Sequence, residues 1–189
     1  MTSQEVKEAF EEATKARPVI VEPDLVLAEK WNFENPFCNI VELRYTMINT
    51  CREFKLPSLS APLIGYNVSV VHVMGDPHVS LINPKIIYTS HELAIATEFS
   101  ASYPGLSVKV TRPLTIRVRY NKSDGSITTS QFTGAIARFV QHEICHIEGR
   151  PFWEDCNFLN RSKAIKDWKN IKRKLSKVSG ALPPVQTPN

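Results

Sequence analysis

His142-Glu143-Ile144-Cys145-His146 sets two imidazoles and a carboxylate at HExxH spacing. At about 100° per residue the histidines fall one helical turn apart on one face, where both can hold a single divalent metal. The glutamate between them can reach a water at that metal and act as its general base. Five residues of this kind also arise by chance, so the surrounding elements have to carry the reading. Thr133 is a candidate N-cap and Gly149 a candidate residue just past the C-terminus. Ile136, Phe139, Val140, Ile144 and Ile147 supply an apolar face, and the spacing predicts a helix from Gly134 to Gly149.

Two histidines need a third protein ligand. Six residues after the second histidine, where one zinc-protease pattern places another histidine, stands Phe152. Glu148, Glu154 and Asp155 are too close in sequence to return from a separate element, and Asp167 sits on a basic helix that reads as surface. The third ligand is therefore expected upstream, which argues against ordinary zinc proteases. Cys145, about 60° from His142 around the helix, is too near in sequence for easy tetrahedral closure.

The elements that must position these groups fit one domain of mixed α and β over residues 1–178. At 189 residues, 42% hydrophobic and 22% charged, the chain reads as an ordinary soluble globular protein. It has no apolar run long enough to span a bilayer, and its first residues do not resemble a secretory leader. Cys38, Cys51, Cys145 and Cys156 show neither CxxC spacing nor a dense framework, so reduced thiols in a cytosol-like compartment are expected. Helices are predicted over Ser3–Lys15, over Asn39–Phe54 on the spacing of Ile40, Leu43, Met47, Ile48 and Cys51, and at the C-terminus on Ile165, Trp168, Ile171, Leu175 and Val178. Pro18–Leu27 reads as extended or irregular, and Pro57–Gly65 breaks regularity. Val68–Val73 and Leu81–Ile87 read as strands. Leu114–Tyr120 and Ser126–Phe132 flank Asn121-Lys122-Ser123-Asp124-Gly125 as a hairpin. Residues 179–189, with three prolines, read as a flexible tail.

Three ordered blocks carry a family resemblance. Gly134–Gln141 before the HExxH motif and Ile147-Glu148-Gly149 after it resemble the third motif of the peptide deformylases. Ser58–Gly65 is similar to that family's GLAAPQxG segment. Glu98–Gly105 is similar to its EGCLSxPG segment, with Arg112-Pro113 following in the expected place. Asn83-Pro84 and Pro23–Leu27 also fit, so the likeness spans roughly Val19 to Phe158. It implies an α+β, deformylase-like fold with antiparallel or mixed sheets around a central HExxH helix and a C-terminal helix. It also implies removal of the N-formyl group from the formyl-methionine of nascent peptides. His142 and His146 would hold one divalent ion (iron, nickel or zinc), with Glu143 catalytic. Ser58, Leu59, Leu63, Phe99, Ala101, Arg138 and Phe139 would line the substrate site.

The departures from the family matter as much. Its third metal ligand, a cysteine, corresponds to Ser100, whose hydroxyl is a poor ligand beside a thiolate. Its oxyanion-donating glutamine corresponds to Leu63, which cannot donate. The glycine before the metal cysteine is Phe99, and the aspartate of HExDH is Cys145, so a supporting carboxylate is missing. Arg138, four residues before His142, shares its face; a carboxylate partner or solvent explains it slightly better than a substrate. Reduced or altered deformylase activity is the expectation, and a non-catalytic homologue binding a peptide end or a ribosome is the alternative. Glu98 and Arg112 are expected to pair as a brace. Between Arg161 and Lys177 the single acid is Asp167. That basic helix, which deformylases with a helical C-terminus use to dock near the ribosomal exit tunnel, is a candidate ribosome contact. An anionic membrane suits its short stripe less well. A monomer in the cytoplasm, an organelle stroma or matrix, or a host cytosol is expected.

Overall fold

The computed structural model describes residues 3–20 and 39–178, the side chains of residues 3, 6 and 175–178 excepted. Most of the extended segment expected around Pro23, Cys38, the side chains of Leu175 and Val178, and the C-terminal tail lie outside these residues. Helices α1 (Ser3–Ala13) and α2 (Ile40–Glu53) precede strand β1 (Ser58–Ser60) and a short 3-10 turn, Ala61–Ile64. Strands β2 (Val70–Val73), β3 (Val79–Thr89), β4 (Leu93–Glu98), β5 (Val108–Pro113), β6 (Thr115–Asn121) and β7 (Ile127–Thr133) follow. Helix α3 (Gly134–Ile147) carries the HExxH motif, and α4 (Phe158–Val178) comes last.

Strands β1-β2-β3-β6-β7 form one antiparallel sheet in that order, and β4-β5 form a separate antiparallel pair. The architecture is α+β, with α3 packed against strands of both sheets. Helix α2 starts where Asn39 Oδ1 accepts from Val41 N at 2.9 Å, and it buries Leu43, Met47 and Cys51 at helical spacing. Those residues pack on Leu59, Ala61, Leu63, Ile64, Val70 and Ile82. The next strand residues, Val71, Val73 and Leu81, turn to the opposite face with Ile116 and Val118, and cover Ala137, Val140, Ile144 and Ile147 of α3. Asn83, with φ of 51°, and Pro84 sit where β3 shifts register against β6 between Ile82 and Lys85. A proline without an N–H is tolerated in the ladder at such an irregularity.

Helix α3 ends as its sequence predicts. Gly149, at φ 67°, donates to His146 O at 3.0 Å, and Arg150 N donates to Cys145 O at 2.8 Å. That pair of bonds is a Schellman cap, which needs a residue comfortable in the left-handed region. Its start differs from expectation. Thr133 makes no side-chain cap bond, because its hydroxyl pairs across the hairpin with Thr115 Oγ1 at 3.1 Å. Ile136 does not belong to the buried face either, being 39% exposed; Ala137 takes the inward place. In α4 the inward stripe is Ala164 and Trp168, with Ile171 half-buried beside them, packed against Tyr103, Val108, Val110, Phe152 and Trp153, while Ile165 is exposed. Strands β4 and β5 were not anticipated. In β4 the alternation runs the wrong way round, with Leu93 and Ile95 exposed, although the Val108-Lys109-Val110-Thr111 alternation of β5 was a usable signal.

His72 lies fully buried on β2, with Nδ1 2.8 Å from Ser80 Oγ. Burial, together with the nearby charges of His78, Arg44 and Arg52, pushes its imidazole down from 6.5 to about 4. The unfolded chain therefore binds the extra proton first. The stability held by neutral His72 is complete above pH 6.5 and is lost as pH falls toward 4, by on the order of 3 kcal/mol. Urea unfolding between those pH values should show a flatter slope in His72→Gln than in the unaltered chain; identical slopes would remove His72 as the cause.

Candidate metal and hydrolytic site

Buried on α3, His142 and His146 turn their Nε2 atoms to within 3.2 Å of each other. Ser100, in the loop after β4, places Oγ 3.1 Å from His146 Nε2 and accepts from Ser102 N at 3.3 Å. His146 Nε2 thus has Ser100 Oγ and His142 Nε2 within 3.2 Å of it, and Ser100 falls at the histidine pair as the aligned second motif predicts. Ligands held tetrahedrally at about 2.0–2.1 Å have edges of roughly 3.3–3.4 Å, close to both separations, so these residues fit one metal ion. Among the described residues no third His, Cys, Asp or Glu completes a metal-holding group with the two histidines. The candidate donor set is two imidazoles and a hydroxyl.

One carboxylate organises the surroundings. Glu98, buried at the end of β4, accepts from Arg112 Nε at 2.8 Å and Nη2 at 2.9 Å. It also accepts from Arg138 Nη1 at 2.6 Å and pairs with His142 Nδ1 at 2.9 Å. The expected Glu98–Arg112 brace is present. Burial opposes the charge on Glu98, but hydrogen bonds from His142 and Arg112 and the Arg112 charge outweigh it and hold the carboxyl down at about 2. Being ionised, Glu98 can only accept, so His142 donates from Nδ1 and its Nε2 is the atom turned toward His146. His146 has no such support: its Nδ1 is buried without a hydrogen-bond partner. Burial, then the charges of His142 and Arg112, keep its imidazole well below 6.5, in the neutral form that a metal needs. Phe152 stacks on His142 at 4.8 Å, and Tyr103 lies nearly parallel to His146 at 6.1 Å.

Cys145 turns away from the histidines. Its thiol donates to Gln141 O at 3.3 Å and lies 3.8 Å from both Arg112 Nη1 and Asp155 Oδ2, so it is not a ligand. The carboxylate expected to be missing here is supplied in part from the loop after α3, where Asp155 Oδ2 sits 3.9 Å from Arg112 Nη1. Sequence spacing gave no hint of that. Glu143 is buried, and burial raises its carboxyl above 4.5, partly offset by the His142 charge and by Ser58 and Ser60. Its Oε1 accepts from Ser58 Oγ at 2.7 Å.

Glu98, Ser100, His142 and Glu143 line one cavity of about 360 Å³. Ser58, Leu59, Leu63, Phe99, Ser100, Ala101, Arg138, Phe139, His142 and Glu143 all line it, and His146 lies behind His142. Leu63 presents only carbon. Phe99 stands at the wall with 71% of its surface exposed. The Arg138 guanidinium is engaged by Glu98, by Val110 O at 3.1 Å and by Ala94 O at 2.6 Å.

Residues 16–162 match the sequence model of the polypeptide deformylases. The chain belongs to that family. A peptide deformylase of Natranaerobius thermophilus is 39% identical over 108 residues, 56% of this chain and 69% of its own length. A plant peptide deformylase structure shares the fold with a TM-score of 0.76 at 22% identity, over 90% of this chain and 96% of that one. An Acinetobacter baumannii class I type b peptide deformylase, solved with Met-Ala-Ser bound, superposes with a TM-score of 0.69 at 25% identity, over 75% of this chain and 99% of that one. Members of this family are metal-dependent amide hydrolases.

Proposed function

We propose that this deformylase-family chain removes the N-formyl group from formyl-methionyl peptides, at a rate limited by its own departures from the family pattern. The observation that carries this reading is the convergence of His142 Nε2, His146 Nε2 and Ser100 Oγ beside a buried Glu143 in one peptide-sized cavity. His142 and His146 would hold the metal, with Ser100 as a weak third ligand. When bound, the ion supplies Lewis-acid polarisation and lowers the pKa of water. Glu143 takes the proton of the attacking water and returns it to the leaving amine, so that formate and a free N-terminus result. Ser58 and the strand at Leu59 on one side, and Phe99 and Ala101 on the other, wall the channel for the peptide. Phe139 and the aliphatic stem of Arg138 face the first side chain. Leu63 gives the developing oxyanion no donor, the main reason to expect slow turnover.

The test is formate release from a formyl-Met-Ala-Ser peptide, measured together with metal content. Formate in proportion to bound iron, nickel or zinc supports the reading and names the ion. Full metal occupancy with no formate overturns it in favour of a peptide-end binder. The bound Met-Ala-Ser in the Acinetobacter structure makes that tripeptide a suitable substrate frame.

The basic face of α4, with Lys166, Lys169 and Lys174 exposed, supports ribosome docking by a monomeric chain. Phosphate contacts make such binding fall steeply with salt. Cosedimentation with ribosomes at low salt should weaken on moving to moderate salt and in a chain ending at Asn160. Trp168 is buried in the core beneath α4, so Lys166→Glu with Lys169→Glu serves as the folded control. Equal recovery of every form leaves α4 a packing role. No helix among the described residues is long and apolar enough to cross a membrane.

A further inference from the structure

Ser58 and Ser60 stand two apart on β1 and so share the strand face opposite to Leu59, which packs on α2. In the family segment that Ser58–Gly65 resembles, these two positions are glycine and alanine, and neither carries a hydroxyl. Here Ser58 is buried and donates to Glu143 Oε1 at 2.7 Å. Ser60 Oγ and Glu143 Oε2 are both buried without a hydrogen-bond partner. One carboxylate oxygen is therefore tied to Ser58, while the other is buried without a closed hydrogen bond, with Ser60 near enough for its hydroxyl and backbone N–H to favour the charged carboxylate; the neighbouring cavity wall, Leu63, offers nothing polar.

We propose that Ser58 is a positioning residue for the hydrolytic reaction: its hydroxyl fixes Glu143 Oε1, and with it the plane of the carboxylate that takes the proton of the attacking water. The inference rests on the deformylase reading above. An untethered carboxylate rotates about its last torsion through a broad well, and a misplacement of about 1 Å at a reacting group costs roughly a hundredfold in rate. The tether acts on the base and not on the peptide, so its removal falls on kcat and leaves KM in place. Threonine keeps the hydroxyl and suits a strand, whereas alanine and glycine abolish the bond.

Formate release at equal metal content, compared for the unaltered chain, Ser58→Ala, Ser58→Gly and Ser58→Thr, decides the matter. The expected result is a kcat lower by roughly 10- to 100-fold in the alanine and glycine variants, with KM within about twofold and kcat recovered in the threonine variant. Glycine is the family's residue here, so that variant guards against an alanine form that fails to fold. A kcat unchanged in both hydroxyl-free variants overturns the proposal alone, as does a loss carried by KM. An unaltered chain that releases no formate at full metal occupancy overturns the deformylase reading and, with it, any base for Ser58 to hold.

Discussion

Ser100→Cys is expected to tighten metal retention by a factor of about 100, equivalent to roughly 2.7 kcal/mol of binding free energy. At the proposed third-ligand position stands a weak donor. Ser100 Oγ already lies 3.1 Å from His146 Nε2, so sulfur on the same Cβ enters a prepared place. A neutral hydroxyl binds a divalent ion poorly, whereas a thiolate is anionic and soft and is favoured by iron and zinc alike. Dialysis against a chelator, followed by metal analysis, reads the effect directly. Equal metal loss from both chains would mean that the two histidines and Glu98 set retention by themselves.

Adding Leu63→Gln to Ser100→Cys should then raise turnover by about 10²–10³, the usual value of an oxyanion donor. Glutamine matches leucine closely in size and enters a cavity-lining position. In the free protein its amide is buried with few partners, which costs roughly 1–3 kcal/mol of stability. Faster formate release from a less stable protein is the signature. A double variant that keeps its metal and releases no formate would move attention to Phe99 and Arg138, the remaining departures along the peptide channel.

The parts of this molecule that repeat a period were legible in its sequence. Helix α3, its glycine cap and the β6–β7 hairpin are each specified by a few residues in a row, and the ordered motifs brought Ser100 to the histidines correctly. What escaped were pairings between distant segments. Asp155 reaches Arg112 from a loop that looked too close to matter. Phe152 covers His142 at the position that invited a third histidine. For Arg138 the sequence favoured a carboxylate partner or solvent over a substrate contact, but not which carboxylate: it is Glu98, 40 residues away. The Ser58 tether to Glu143 spans 85 residues, a separation at which no local periodicity operates. Strand β4 was hidden for a different reason: its outward residues are the apolar ones, the reverse of the pattern that burial normally writes into a sequence.

Glu98→Gln should cost about 3–5 kcal/mol, the penalty for leaving a buried charge unpaired, and lower the melting temperature by roughly 6–20 °C for a domain of this size. Glu98 is 7% exposed and Arg112 3%, and the carboxylate takes two hydrogen bonds from Arg112, one from Arg138 and one from His142. Glutamine preserves the shape but removes the charge, and its amide nitrogen turns a donor toward groups that are themselves donors. Asp155, half-exposed and 3.9 Å from Arg112, is too distant to replace it. Because a glutamine can offer His142 Nδ1 at most a neutral amide oxygen in place of the carboxylate, metal affinity should fall about 10- to 100-fold in the same variant. The two effects separate on a second substitution. Glu98→Gln with Arg112→Met removes both buried charges and should recover much of the stability, yet metal retention should stay low, since a neutral amide orients and polarises His142 less than a carboxylate does. Full recovery of metal binding in that double variant would show that Glu98 serves the fold and not the site.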